Sequence, residues 1–268
     1  MDDLRSRFGF HQTPFTRELP IEQRFSLPVF DEPLVALKRS VDARSSAALI
    51  APSGTGKSTL LRTLAAQLPE ARYRVHYVKV TDLCKRDMCY EIATAISARP
   101  AGNYPALVRS IQERLTAMTN ADAVRPVLLV DEAHDLRQNV LGMLRILTNF
   151  EMDSRLVVSV ILAGQPPLRE TLRRERLEDF ARRLTHYAVL RPLSRPEMQR
   201  YIEHRCTIAG AVTTPFDLSA ADGIFEISRG NLRAIDQLAL KAIEVACDRN
   251  LKVIDASIIA EARKFLWP

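Results

Sequence analysis

The sequence predicts an α/β fold, a parallel sheet between two layers of helices, followed by a small all-helical domain. Three observations predict it. A glycine-rich loop, Ala51-Pro52-Ser53-Gly54-Thr55-Gly56-Lys57-Ser58, stands between a strand-length apolar run and a helix-patterned run. Strand-length apolar runs then alternate with amphipathic stretches to about residue 190. From about Pro192 only helical patterns remain. A chain of 268 residues is long enough for one large domain and a small one.

Taken in order, residues 1–44 are a lead-in expected to pack on the core. Phe8, Phe10 and Phe15, punctuated by Gly9 and Pro14, are too apolar for a disordered tail. A helix is expected to start at Asp31 and carry Leu34, Val35, Leu37 and Val41. Residues 45–191 form the α/β domain. Its first strand is Ala47-Ala48-Leu49-Ile50, and Leu60, Leu61, Leu64 and Leu68 follow the loop at helical spacing. Residues 74–80 read as a second strand, and Thr81-Asp82-Leu83 leads into a helix with Met88, Ile92 and Ile96 on one face. A further helix runs through Ile111 and Leu115. Pro126 to Asp131 is an apolar strand of the buried parallel kind. A helix with Val140, Leu141, Leu144 and Leu147, a strand over 156–162, an Arg-rich helical stretch to Arg183 and a short strand over 186–190 complete the domain. Residues 192–268 are the helical domain, with helices near 197–208, 219–227, 232–247 and 256–265.

The loop carries the chemistry. Gly54 and Gly56 let successive N–H groups curl inward around an anion, and a helix starting near Lys57 adds the positive end of its dipole. Pro52 to Thr59 would then cradle phosphates. Lys57 reaches the outer phosphates and Ser58 offers a hydroxyl to Mg²⁺. The first loop position is Ala51 where this pattern has Gly, which works while its φ stays negative. About seventy residues on, a strand delivers Asp131 and Glu132 to the C-terminal edge of the sheet, where ligands of such folds collect. Asp131 suits a metal and Glu132 an attacking water. Gln165 ends the next apolar strand, where its amide could meet a γ-phosphate or start a turn before Pro166-Pro167. Arg182 and Arg183 end a helix, placed either to reach a neighbouring subunit's nucleotide or to complement the helix dipole. Arg233 opens a helix of the second domain, directed at the nucleotide or at solvent.

Composition bounds the partners. The formal net charge is +6 and the pI about 9.3, which favours an anionic partner with nucleic acid foremost, against a basic protein that meets no polyanion. The four cysteines form no C-x-x-C pair, so free thiols and no zinc site are expected. With no signal-like or membrane-spanning run, a cytoplasmic protein is expected.

These motifs, in this order, resemble an AAA+ ATPase over nearly the whole chain. The loop, Leu-Leu-Val-Asp-Glu-Ala-His at 128–134, Ala-Gly-Gln-Pro-Pro-Leu-Arg at 163–169 and Arg-Gly-Asn-Leu-Arg at 229–233 look most like the ExeA branch. That branch is similar to the transposition-regulator ATPases of the TnsC, TniB and MuB type. The resemblance implies a three-layer P-loop NTPase (AAA+) core with a parallel sheet and a helical lid domain. It implies ATP and Mg²⁺ as cofactors and a homo-oligomeric ring or filament with nucleotide between subunits. Lys57 and Ser58 match Walker A, Asp131 and Glu132 Walker B, Gln165 sensor 1 and Arg233 sensor 2. Arg182 or Arg183 matches the arginine finger. Secretion members of the branch carry a membrane span and a wall-binding domain after the ATPase. This chain ends at Trp267-Pro268 with neither, which shifts the expectation to transposition members that coat double-stranded DNA and recruit a transposase. Lys79, Lys85 and Arg86, with a second cluster at Arg173, Arg174 and Arg176, are the expected DNA contacts, each cluster being equally readable as a solvated helix face. The alternative is an ExeA-like secretion or assembly ATPase acting on protein partners.

Overall fold

The computed structural model describes residues 7–80, 82–148, 150 and 155–266. Thr81, expected at a helix entry, and the terminal Trp267-Pro268 lie outside the described residues. The chain divides into two compact units. Of the described residues, one comprises those within 30–53 and 57–190; the other takes 7–29, the tip Gly54–Gly56 and 191–266.

The first unit is built on a five-stranded sheet: β1 (Ser46–Ile50), β2 (Tyr73–Lys79), β3 (Arg125–Asp131), β4 (Ser159–Gly164) and β5 (Leu184–Val189). All neighbours are parallel, in the order β2-β3-β4-β1-β5. Its helices are α1 (Pro28–Asp42), α2 (Lys57–Gln67), α3 (Lys85–Ala95), α4 (Tyr104–Asn120), α5 (Gln138–Leu147), α6 (Pro167–Leu172) and α7 (Glu178–Ala181). Parallel strands need crossovers, and helices on both faces bury both sides of every central strand. Ala48, Ile50, Val130, Val160 and Leu162 pack in one core with Met88, Ile92, Ile111 and Leu144. The alternate positions Ala47, Leu49, Val127, Leu129, Ile161 and Ala163 are buried too. This is why β1, β3 and β4 read as unbroken apolar runs rather than alternating ones.

Several element bounds shift by one to three residues from expectation, and three differences have a local reason. α1 starts at Pro28 rather than Asp31, because proline at the first helical position has no N–H to leave unpaired. β4 runs to Gly164 rather than 162, because Ile50 pairs opposite Gly164 and draws the ladder to the end of β1. The Arg-rich stretch is not one helix: α6 is followed by a 3₁₀ turn at Glu175–Leu177 and the single turn of α7.

The second unit contains α8 (Arg195–Ile208), α9 (Leu218–Ser228), α10 (Leu232–Asp248) and α11 (Ala256–Lys264). Each has a named cap. Ser194 and Glu197 form a capping box on α8, while Asp217, Asn231 and Asp255 accept from first-turn N–H groups of α9, α10 and α11. Between α9 and α10, Arg229 and Gly230 both take left-handed backbone. A Cβ at Gly230 would collide with the Leu193 carbonyl, so only glycine fits.

The lead-in was expected to pack on the α/β core, with a boundary at residue 44. Instead α1 belongs to the α/β unit from Phe30 on, and the described residues before it, 7–29, group with the helical one. Phe15 meets Phe216 edge-on at 6.0 Å. The Arg205 guanidinium lies over the Phe15 ring and donates to the Thr16 carbonyl at 2.7 Å. Phe25 packs on His204, whose Nε2 bonds the Gln23 carbonyl at 2.8 Å. The His11 N–H donates to the Ala209 carbonyl. Rings are buried and loop carbonyls satisfied in the same contacts, which anchors an irregular segment. Arg205 is itself buried beside Asp236 of α10, which accepts from Tyr201 at 2.8 Å.

Candidate functional site

The site forms where β1 and β3 end. Ala51 leaves β1 with its N–H on the Gly164 carbonyl at 2.9 Å and with negative φ, so alanine is accommodated at the first loop position. Gly54 and Gly56 have φ of 77° and 94°, the backbone a phosphate-binding nest requires of glycine. α2 begins at Lys57, so Lys57, Ser58 and Thr59 make the first helical turn with their N–H groups free of intrahelical acceptors. Thr55 and Lys57 are buried, Pro52 and Gly54 half-buried, and Ser53 exposed.

β3 brings the acids. Asp131 is 2% exposed. Its Oδ2 accepts from Ser58 Oγ at 3.1 Å and from Tyr77 OH at 3.1 Å, and its Oδ1 accepts from the Glu132 N–H at 2.8 Å. Glu132 turns sharply, with φ 57° and ψ 32°. Left-handed backbone costs a non-glycine residue about 1–2 kcal/mol, and such strain gathers at functional turns. The turn aims the Glu132 carboxylate back at Lys57, whose Nζ lies 3.1 Å from Oε2.

Gln165 follows β4. Its Nε2 lies 2.6 Å from His134 Nε2, and His134 Nδ1 lies 3.4 Å from Glu132 Oε2. His134 sits in the 3₁₀ turn Ala133–Asp135. A Cβ on Gly164 would stand 3.0 Å from the His134 backbone nitrogen, so glycine lets the β4 exit approach that turn.

The structure therefore brings together Lys57, Ser58, Asp131, Glu132 and Gln165. Two further residues went unassigned in sequence. Tyr77 shares the side-chain parity of Lys79, which pairs opposite Asp131, so strand periodicity was its signal. Burial, then the charge and hydrogen bond of Asp131, push the Tyr77 hydroxyl up to about 12, so it remains a donor. His134 stood within the Asp-Glu-Ala-His run, with nothing in its spacing to place it beside Gln165.

The other predicted residues lie elsewhere. Within the helical unit, the Arg233 N–H donates to the Gly54 carbonyl at 3.1 Å, and a Cβ on Gly54 would collide with Asn231. Arg182 is exposed and pairs with Glu178 one turn back, and Arg183 is half-buried. Lys79, Lys85 and Arg86 are exposed, and Arg86 donates to the Gly102 carbonyl at 3.1 Å. Arg173, Arg174 and Arg176 are exposed.

The donor set fits a magnesium nucleotide. A hydroxyl and a carboxylate supply hard oxygen ligands, and Mg²⁺ keeps waters and phosphate oxygens in its remaining positions. A buried ammonium beside positive-φ glycines at a helix start suits a polyphosphate. No helix among the described residues is long and apolar enough to cross a membrane.

Comparison with known proteins agrees. An AAA domain family matches residues 40–172. General secretion pathway protein A of Aeromonas hydrophila is 32% identical over 246 residues, which is 90% of this chain and 44% of that protein. This chain thus spans less than half the length of that relative. Cdc6p from Pyrobaculum aerophilum superposes with a TM-score of 0.72 at 15% identity, covering 93% of this chain and 69% of that one. The Aeropyrum pernix ORC1 protein in complex with DNA superposes at 0.68 and 19% identity, covering 92% and 67%. The Thermotoga maritima RuvB branch migration motor superposes at 0.58 and 18% identity, covering 92% and 74%. At these identities the structural likeness is one of fold. The matched domain, the strand order and the Lys57–Glu132 and Ser58–Asp131 pairs give the chain a P-loop NTPase fold that resembles an AAA domain over residues 40–172 and part of a secretion-pathway protein over 246 residues.

Proposed function

We propose that the protein is an ATP-driven switch that oligomerises on duplex DNA in its ATP state, recruits a transposase, and comes apart on hydrolysis. One observation carries the switch: Lys57 and Ser58 are already paired with Glu132 and Asp131. With nucleotide bound, Lys57 would serve the outer phosphates, and Ser58 with Asp131 would hold Mg²⁺, so both pairs would open and free the acids that hydrolysis needs. Glu132 orients the water, Gln165 reads the γ-phosphate, and Arg182 or Arg183 of a neighbouring copy completes the site. The cytoplasm, where ATP and DNA meet, is the expected compartment.

The DNA reading is supported by the net charge of +6 and by exposed Lys79, Lys85, Arg173, Arg174 and Arg176. Lys85 and Arg86 open α3, where basic residues oppose the helix dipole, so helix stability does not account for them. A second reading, an assembly ATPase acting on protein partners, is favoured by the identity to the secretion-pathway protein.

Random-sequence duplex DNA, titrated with ATP, ADP or a non-hydrolysable ATP analogue across a salt series, separates the two. Tighter binding with the analogue, falling steeply with salt, is expected. Binding indifferent to nucleotide overturns the DNA reading. Analogue-dependent oligomers without DNA affinity favour the protein-partner reading.

A further inference from the structure

We propose that His134 is a positioning residue through which Gln165 controls Glu132. The inference rests on the reading of Lys57, Glu132 and Gln165 as nucleotide-site residues and names the link between them.

Three distances define the link. The Gln165 amide nitrogen is 2.6 Å from His134 Nε2. His134 Nδ1 is 3.4 Å from Glu132 Oε2. Lys57 Nζ is 3.1 Å from that same oxygen. With the amide donating, Nε2 accepts and the ring proton sits on Nδ1, facing Glu132. Yet Nδ1 is buried and makes no hydrogen bond, while the His134 side chain is only 12% exposed. A buried ring donor next to a carboxylate that is held by another cation is a contact waiting for its partner.

Nucleotide changes that balance. When Lys57 turns to phosphate, Oε2 loses its cation, and the His134 ring nitrogen stands 3.4 Å away. The 3₁₀ turn carries His134, the bare Cα of Gly164 lets the β4 exit approach that turn's backbone, and Nδ1 already stands 3.4 Å from Oε2, so the contact closes by a small movement. A γ-phosphate that engages the Gln165 amide alters the other end of the same ring. The Glu132 carboxylate is thereby set for its water only when both ends have responded. His134 acts on turnover, not on nucleotide affinity, since it contacts Glu132 and Gln165 rather than the glycine loop.

The experiment compares wild type with His134→Ala, His134→Asn, Gln165→Ala and the double alanine variant. Affinity for a fluorescent ATP analogue and steady-state ATPase kinetics are measured on each. Histidine ring ¹⁵N spectra are recorded without nucleotide. We expect His134→Ala to lower kcat at least tenfold with nucleotide affinity within threefold. His134→Asn, which keeps a donor near the Nδ1 position, recovers much of kcat. The double variant is no slower than the slower single one, as expected of residues acting in series. In the spectra, His134 is the Nδ1–H form, and Gln165→Ala moves its Nε2 signal. Unchanged kcat in His134→Ala, additive losses in the double variant, parallel loss of affinity, or an Nε2–H ring indifferent to Gln165→Ala each overturn the link. Wild-type protein that takes up no ATP overturns the site reading and the link together, whereas wild-type turnover matched by His134→Ala overturns the link alone.

Discussion

Asp236→Asn tests the polar cluster that holds the lead-in to the helical unit. Asp236 lies on α10, accepts from Tyr201 OH, and faces the buried Arg205 guanidinium at 3.7 Å. Its carboxyl is pushed up from 3.8 to about 6, chiefly by burial, with Arg205 and Tyr201 pulling the other way. The folded state therefore holds a proton that the unfolded chain releases between these values. Stability from this group is fully present below pH 3.8 and is lost as pH rises through about 6. That interval, at about 1.36 kcal/mol per pH unit, is worth about 3 kcal/mol, and about 2.4 kcal/mol of it falls between pH 4 and 7. Asparagine does not titrate. Urea unfolding of both proteins by circular dichroism, at pH 4 to 8, gives the wild-type-minus-variant difference, in which other titrating groups cancel. That difference should fall by about 2–3 kcal/mol across the range. A flat difference, or a wild type that gains on the variant as pH rises, refutes the reasoning: attraction to Arg205 would then outweigh the cost of burying the charge.

Further outcomes follow from the same contacts. Lys57→Ala should abolish ATP uptake in calorimetry, while Glu132→Gln should keep uptake and lose turnover by about 100-fold or more, in line with loss of general-base assistance. Gly164→Ala should lower stability by about 1–3 kcal/mol, because its Cβ meets the His134 backbone nitrogen and the Leu168 side chain, and thermal melting of the variant checks this. Glu197 caps α8 and is held down to about 2, first by its hydrogen bonds from Arg191. Its contribution is present above pH 4.5 and lost as pH falls toward 2, so Glu197→Gln should cost about 1 kcal/mol at neutral pH. The gap between variant and wild type in urea titrations should close on acidification.

Much of the fold could be read along the chain because its signals are local. The glycine loop needs only adjacent residues with the right backbone freedom, and β1, β3 and β4 are buried on both faces, so each announces itself as an apolar run. Helix caps such as Asn231 and Asp255 are likewise decided within four residues. The same locality makes Lys57, Ser58, Asp131 and Glu132 legible as a set: two motifs, each at the C-terminal end of a central strand, converge once the sheet is parallel.

What the sequence by itself determined is the sheet, its loop and the chemistry offered at its edge. The tertiary structure alone decided that Tyr77 shares Asp131 with Ser58, that Gln165 meets His134 rather than standing free, and that the phenylalanines before α1 settle on the helical unit. Each of these depends on strand register or on contacts between residues far apart in the chain. Register and ring packing are set by how burial and hydrogen bonding are satisfied together over the whole unit, which no local pattern encodes.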